Sequence, residues 1–384
     1  KQVANMSSYL TALQEQVPQY AQELTEMKDL HQKKLWHQLT DLIQDFLAKP
    51  EVRASVPLVE FYERVIADFA PKANQLRLAA IAEIISAEIK TPAEQLAFLE
   101  KVLGAKYIMD HKEATIVLSS RCAMVEEASG ELEKANERLD KLEEVLERLP
   151  SAEAVVHASF YRAKAHYYKA KGEAQNFYRS ALQWLAYEQL EDVEQGERVQ
   201  LAFDLGLAAL MGAEIYNFGE TLEKGVVEVL TGSGHEWLAK VLLSLNQGNI
   251  EEWRALEKQY AKEIGTHLAG QSVLLNQKVS ILSVIELIFN RGSEDRIVSF
   301  QDIATASHIP VNQVEHLLMK ALALGLLKGR IDQISSSFNV SWVQPRVLSQ
   351  AQITLMKDRL FTWGQTVGGA LSLMESQISP EILS

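Results

Sequence analysis

The sequence contains a single cysteine, Cys122, in 384 residues. One thiol cannot form an internal disulfide, and a chain without disulfides is typical of a reducing compartment. Long apolar runs are also missing, because the longest uncharged run, residues 360–374, spans 15 residues and includes three glycines. A transmembrane helix needs about 20 predominantly apolar residues. We therefore expect a soluble intracellular protein with no membrane partner.

Motifs of known enzyme classes fail at single positions. None of the nine histidines belongs to a His-x-His pair, a common pair of zinc ligands. The segment GTHLAGQS (265–272) has the glycine spacing of a phosphate-binding loop, but Gln271 stands where a lysine must reach the phosphates. Cys122 lies in an apolar helical pattern, IVLSSRCAMV, which favours a buried and inert thiol. We predict no enzymatic activity, no catalytic or metal-binding residue and no cofactor.

What the sequence does contain is a long series of amphipathic helical patterns from about residue 8 to residue 290. Segments such as EKANERLDKLEEVLERL carry apolar residues at i, i+3 or i+4, and i+7, the spacing of one helix face. Helix breakers recur at intervals of 39, 42, 40 and 36 residues, at Thr91, Gly130, Gly172, Gly212 and Gly248. This period predicts an all-α, tetratricopeptide-like solenoid over residues 1–290, with an irregular helical bundle as the alternative.

Residues 291–346 have the layout of a winged helix, with two short helices followed by two strands. Ser299 with Asp302, and Asn312 with Glu315, are spaced as capping boxes at the two helix starts. We expect the second helix to be buried, because apolar residues surround most of it: Val314, Leu317, Leu318, Ala321, Leu322 and Leu324. Gly325 predicts a left-handed helix end. LLKGRID and SFNVSWVQP alternate as the two strands of the wing, and no strand is predicted before residue 326.

The winged helix lacks the positive charge of a nucleic-acid-binding domain. The whole chain carries a net charge of −13, and residues 298–350 contain four basic residues (Lys320, Lys328, Arg330 and Arg346) against three acidic ones. Proteins that bind duplex DNA draw much of their affinity from Lys and Arg on phosphates. A winged helix of this composition is predicted to be an adaptor that binds no nucleic acid.

The C-terminal segment, residues 347–384, has the periodicity of a coiled coil. Its apolar residues are spaced 3, 4, 3, 4, 3, 4 and 4 apart: Ile353, Met356, Leu360, Trp363, Val367, Ala370, Met374 and Ile378. Gly364, Gly368 and Gly369 interrupt the same segment, and each costs about 1 kcal/mol relative to Ala inside a helix. We predict a helix stabilised by partner helices, with folding back onto the solenoid as the alternative.

Five segments carry a resemblance to a known family: KKLWHQLTDLIQDF (33–46), IYNFGETL (215–222), VEHLLMKALALGLLKGRIDQ (314–333), SWVQPRVL (341–348) and MKDRL (356–360). Together with the order of a helical-repeat array before a winged helix, they resemble the PCI-domain subunits of the 26S proteasome lid. The resemblance extends over nearly the whole chain and is densest from residue 311 to residue 360.

This resemblance implies a non-catalytic scaffold subunit that supports ubiquitin-dependent degradation, in the cytoplasm and the nucleus. Its partners would be the other PCI-domain subunits and the zinc deubiquitinase subunits of the lid, with the ATPase ring and the core particle as further candidates, in a hetero-oligomer. In this family the wings pair edge to edge and the C-terminal helices form a bundle. The residues implied for the wing contact are Leu326, Leu327, Lys328, Arg330, Phe338, Val340 and Trp342, and the bundle would take the apolar positions from Ile353 to Ile378.

Two other interpretations stay open at this point. A PCI subunit of the COP9 signalosome or of the eukaryotic translation initiation factor three complex would have the same architecture. A nucleic-acid-binding winged-helix protein is less compatible with the charge of the chain. The predicted domains are the solenoid over 1–290, whose latter part is the helical half of a PCI domain, the winged helix over 291–346 and the C-terminal helix over 347–384.

Overall fold

The structure, a computed structural model, describes residues 9–14, 17–149, 151–193, 195–291, 296–344 and 350–377. The chain divides into two compact units, Lys1–Gly212 (unit 1) and Ala213–Ser384 (unit 2). Helices dominate both units, and a small antiparallel sheet lies in unit 2. The predicted fold class, a helical-repeat array with a winged helix and a C-terminal helix, is confirmed.

Unit 1 is all helical. Its helices are α1 (Ala21–Gln32), α2 (Trp36–Ala48), α3 (Pro50–Ser55), α4 (Leu58–Phe61), α5 (Gln75–Ala87), α6 (Pro92–Leu103), α7 (Lys106–Met109), α8 (Lys112–Ala128), α9 (Leu132–Glu147), α10 (Ala154–Lys171), α11 (Ala174–Tyr187) and α12 (Gln195–Met211). A π-helical segment (Tyr62–Ile66) and an α-helical turn (Ala67–Phe69) continue α4, and 3₁₀ turns occupy Pro18–Tyr20 and Ala70–Lys72.

The core of unit 1 is built on α8, which packs against α5, α6, α9 and α10. Helix α9 shows why the amphipathic pattern gives this arrangement. Its residues Ala135, Leu139, Leu142 and Leu146 recur every three or four positions and are buried, while its acidic residues face outward. Pairwise packing continues from α10 to α11 and from α11 to α12.

The predicted helix breakers all fall between helices. Gly130, Gly172 and Gly248 have left-handed φ angles of 84°, 77° and 65°, a conformation that glycine adopts without a Cβ penalty. Thr91 precedes α6, and Gly212 follows α12. The repeat is less regular after α12, where two short helices, α13 (Gly219–Glu223) and α14 (Val226–Leu230), take the place of a full pair.

Unit 2 continues with α15 (Glu236–Gln247), α16 (Ile250–Gln259), α17 (Ala261–His267) and α18 (Ser272–Asn290). The winged helix comprises β1 (Ile297–Ser299), α19 (Phe300–Ser307), α20 (Val311–Ala323), β2 (Leu327–Asp332) and β3 (Ser337–Val343), and α21 (Gln350–Gln377) follows it. Helix α18 is long and apolar enough to cross a membrane by length and composition, and half of its most apolar window is buried. It packs against α15, α16, α19, α20 and β3, which identifies it as the core helix of unit 2.

The sheet has three strands in the order β1-β3-β2, all antiparallel. The expectation of no strand before residue 326 was wrong, since β1 pairs Val298 with Phe338 and Ser299 with Ser337. A strand of three residues is too short to show an alternating pattern in the sequence. Its presence makes β3 the central strand.

The predicted helix ends of the winged helix are confirmed at two of three positions. The Ser299 hydroxyl accepts a hydrogen bond from the backbone N–H of Asp302 (3.1 Å), and Gly325 has φ of 70°. The capping box at Asn312 was wrong, because α20 begins at Val311 with Pro310 as its N-cap residue. Asn312 lies inside the first turn, and the Glu315 carboxylate accepts a hydrogen bond from Gln333 instead (3.2 Å).

Candidate partner-binding surfaces

Strand β2 forms one edge of the sheet. It pairs with β3 from Leu327 opposite Val343 to Asp332 opposite Ser337, and its other side has no strand neighbour among the described residues. An edge strand presents backbone N–H and C=O groups that can pair with a strand of another chain. Because β3 is held between β1 and β2, the two edge strands of the sheet are β1 and β2. Strand β2, with six residues against three in β1, offers the longer edge for strand addition.

The side chains of the predicted wing contact divide into a buried and an exposed group. Four of them pack into the interior of unit 2: Leu326, Leu327, Phe338 and Val340. Lys328 and Arg330 are exposed on β2, and Trp342 is 39% exposed on β3. The Lys328 ammonium lies 4.8 Å from the centre of the Trp342 ring, a cation–π distance. The exposed members of the predicted wing contact are thus basic and aromatic.

Gly329 and a register shift give β2 its local shape. The pairing passes from Lys328 opposite Trp342 to Gly329 opposite Val340, so Ser341 is an extra residue in β3. A Cβ atom on Gly329 would come within 2.7 Å of the Phe338 ring and still closer to the Asn339 carbonyl. A bulge and an edge lysine both discourage pairing of identical edges, which favours a specific partner over self-association.

Helix α20 holds the position that a DNA-reading helix would occupy. Of its predicted apolar residues, Val314, Leu318 and Ala321 are buried, and Leu317, Leu322 and Leu324 are partly buried. One exposed face of α20 consists of residues spaced three or four positions apart: Asn312, His316, Met319 and Ala323. This face carries no arginine or lysine to contact phosphates or guanine. The expectation that α20 is buried was wrong for this face, because the helix packs on the rest of unit 2 through one side only.

Helix α21 contains the predicted apolar seam and exposes it. Every described side chain from Ile353 to Met374 is exposed, including the large apolar ones Ile353, Met356, Leu360, Trp363, Val367 and Met374, together with Ala370. At about 100° per residue these positions fall on one stripe about 100° wide. Leu371 lies on the same stripe and was missed, because a strict heptad assignment passes over it. Ile378 lies outside the described residues.

Residues with catalytic potential are few in the part of the chain that the structure describes. Within residues 9–14, 17–149, 151–193, 195–291, 296–344 and 350–377, no cluster of three or more His, Cys, Asp or Glu side chains is arranged to hold a metal ion. Burial raises the pKa of the Cys122 thiol to about 12, so the reactive thiolate is not formed at neutral pH. The buried Glu126 beside it is paired with Arg138 (2.5 Å).

Two family profiles match the chain, "PSD13 N-terminal repeats" over residues 23–242 and "PCI domain" over residues 257–342. The 26S proteasome non-ATPase regulatory subunit 13 of Dictyostelium discoideum is 35% identical over 96% of this chain and 96% of its own length. Homolog A of the same subunit in Arabidopsis thaliana is 34% identical over 98% of both chains. The chain belongs to the family of 26S proteasome non-ATPase regulatory subunit 13.

The match to the regulatory subunit 13 family covers both units, whereas similarity to subunit M of eukaryotic translation initiation factor 3 is partial. Subunit M of eukaryotic translation initiation factor 3 from Emericella nidulans is 26% identical over 29% of this chain and 25% of its own length. The PCI profile begins at residue 257, among the helices that precede the winged helix. The predicted domain boundaries at 290/291 and 346/347 stay a prediction.

Proposed function

We propose that this chain is a non-catalytic scaffold subunit of the lid in the regulatory particle of the 26S proteasome, supporting ubiquitin-dependent protein degradation. The observation that carries the proposal is identity of 34–35% with regulatory subunits over 96–98% of the chain. The two exposed surfaces of unit 2 supply the physical basis for assembly. We assign the bundle contact to α21 and the wing contact to β2.

The apolar stripe of α21 supports a role in a helical bundle. A helix of 28 residues is about 42 Å long, and its large side chains remain in water in the single chain. Exposed apolar stripes of this length mark interaction sites. The three glycines at 364, 368 and 369 have open space around them, so neighbouring helices could approach closely there. Partner helices would cover the apolar stripe, and this burial would offset the low helix propensity of the three glycines.

The edge of β2 supports a second contact. Strand addition would satisfy its backbone groups, and Lys328, Arg330 and Trp342 would give the contact its chemical character. The buried residues Leu326, Leu327, Phe338 and Val340 would act indirectly, by holding the edge in place. We propose neighbouring PCI subunits of the lid as partners at the wing.

The proposal places the protein in a hetero-oligomer in the cytoplasm and the nucleus, with PCI-domain and zinc deubiquitinase subunits of the lid as partners. The ATPase ring and the core particle are further candidate contacts for the acidic solenoid. The proposed domains are the solenoid over 1–290, the winged helix over 291–346 and the bundle helix over 347–384. The names of the relatives, regulatory and non-ATPase, support a role without catalysis.

The test is affinity purification of the tagged full-length chain from its own cells, with size measurement and mass spectrometry. We expect the wild-type chain in a particle that contains ATPases, core-particle subunits and a zinc deubiquitinase. The double variant Leu360→Asp/Trp363→Asp places two charges on the stripe and should reduce incorporation at least tenfold, as should deletion of residues 347–384. The control Gln365→Asp adds a charge on the opposite side of α21 and should incorporate normally.

Three outcomes would contradict the proposal. Normal incorporation of the double variant or of the deletion would remove α21 from the bundle assignment. Recovery with translation initiation subunits would assign the chain to the translation initiation factor three complex instead. The similarity to subunit M of that factor covers only 29% of this chain, which argues against this outcome. Recovery as a free chain that binds duplex DNA with a steep salt dependence would revive the nucleic-acid hypothesis.

A further inference from the structure

Unit 1 contains a cavity of about 130 Å³ between α10, α11 and α12. Its lining is mainly apolar, with ring and aliphatic surface from Ala165, Phe177, Trp184 and Leu201. The polar lining residues are His166, Lys169, Glu197, Gln200 and Asp204. This cavity lies within the repeat array and shares no residue with β2 or α21.

The charged groups around the cavity neutralise one another. The Lys169 ammonium lies 2.5 Å from the Asp204 carboxylate, and the Arg162 guanidinium lies 2.7 Å from the Glu197 carboxylate. The Gln200 amide also donates to Asp204 (2.9 Å). Each acidic group lining the cavity therefore has a cationic partner. A charged ligand would have to break one of these ion pairs, so an uncharged ligand is favoured.

Of the three rings that line the cavity, Phe177 is a hydrocarbon ring, whereas Trp184 and His166 also carry ring nitrogen atoms. The N–H of Trp184 already donates to the Glu188 carboxylate (2.6 Å), so the indole contributes ring surface. His166, whose ring centre lies 6.4 Å from that of Trp184, has no hydrogen-bonding partner among the residues that the structure describes. Burial, reinforced by Arg162, lowers the pKa of His166 to about 4. At neutral pH its imidazole is uncharged and can both donate and accept a hydrogen bond.

We propose that this cavity binds a single uncharged aromatic ring that carries one hydrogen-bonding group, of the size of phenol. An apolar cavity of about 150 Å³ accommodates a benzene molecule, so the volume here suits one ring. Phe177 and Trp184 supply the surface against which such a ring packs, and the free imidazole of His166 supplies the partner for its hydroxyl. The site is independent of the proteasomal function proposed above.

The test measures binding of phenol and benzene to the full-length chain by saturation-transfer NMR and calorimetry. Phenol should bind about fivefold more tightly than benzene, the usual effect of one additional hydrogen bond. Its affinity should be constant between pH 6 and pH 8, because His166 stays neutral there. N-acetyltyrosinamide is measured in parallel: binding of it identifies a peptide tyrosine as the source of the ring, and binding of phenol alone identifies a free small molecule.

Three variants locate the ligand. Ala165→Leu fills the cavity and should weaken phenol binding at least tenfold. His166→Leu should abolish the difference in affinity between phenol and benzene. This variant also provides a test if Ala165→Leu does not fold. His111→Leu, at an exposed histidine of the same unit, should change neither affinity. Absence of phenol binding at 10 mM, equal affinities of phenol and benzene in the wild-type chain, or wild-type affinity in folded Ala165→Leu would each overturn the proposal.

Discussion

Two helices of unit 2, α18 and α21, have similar apolar periodicity and opposite surroundings. In α18 the side chains of Leu275, Val279, Leu282 and Ile285 recur every three or four residues and are buried. In α21 the positions from Ile353 to Met374 recur at the same spacing and are exposed. Periodicity identifies an apolar helix face, but it does not say whether the same chain covers that face.

In our proposal, the difference assigns the stability of the single chain to α18 and assembly to α21. Burial of apolar area on α18 contributes to folding of the single chain, at roughly 25 cal/mol per Å². The equivalent area on α21 is still available, so in our proposal its burial contributes to binding. Substitutions on the two helices should therefore separate into folding effects and assembly effects.

The largest expected effect is the loss of a buried leucine. Leu282→Ala in α18 removes a side chain that is 0% exposed and should lower the free energy of unfolding by about 2–5 kcal/mol. Leu371→Ala, at a position 56% exposed on α21, should change it by less than about 0.5 kcal/mol. Chemical denaturation of the two isolated variants measures both. Equal losses would show that the stripe of α21 is already covered in the single chain.

A second prediction concerns the pH dependence introduced by α18. Lys278 is fully buried above the rings of Tyr216 and Phe218, and burial lowers the pKa of its ammonium to about 7. Between that value and the ordinary lysine pKa of 10.5, the unfolded chain binds a proton that the folded chain does not. Stability from this group should therefore rise with pH above 7, by at most about 1.4 kcal/mol per pH unit.

Thermal unfolding of the wild type and Lys278→Met at pH 6.5 to 9.5 measures this effect. The wild type should gain stability relative to the variant as the pH rises, because methionine has no proton to lose. Tyr216 should not contribute to the difference, because both chains contain it and the pKa of its hydroxyl, raised by burial from 10.0, lies above this pH range. A constant difference across this range would show that Lys278 keeps its proton in the folded chain.

The smallest expected effect is that of replacing a glycine by alanine, and its sign differs between α21 and the turn next to α18. Gly364→Ala in α21 meets no atom within 4 Å and should stabilise that helix by about 1 kcal/mol. Gly248→Ala, next to α18, has φ of 65° and would place its Cβ 3.0 Å from the Leu282 backbone, so it should destabilise unit 2 by about 1–2 kcal/mol. Hydrogen exchange of α21 amides and chemical denaturation measure the two changes. Destabilisation by both variants would indicate that Gly364 is closely approached in the single chain.

Much of the architecture could be predicted from periodicity and turn chemistry. The turns at Gly130, Gly172 and Gly248, the cap at Ser299 and the end of α20 at Gly325 are local, and local interactions decided them. Strand β1 could not be predicted, since its three residues become a strand only by pairing with β3, which is distant in the sequence. The start of α20 was misplaced because Asn312 and Pro310 both carry a helix-start signal.

The sequence by itself determined the helical repeats, the winged helix, the uncharged outer face of α20 and the apolar stripe of α21, because each depends on residues within a few turns of one another. Only the tertiary structure decided which apolar faces are covered and which strand is an edge. It also decided where the neutral His166 meets the rings of Phe177 and Trp184. These features depend on contacts between distant segments, and burial is a property of the packed chain that the spacing of residues along it does not specify.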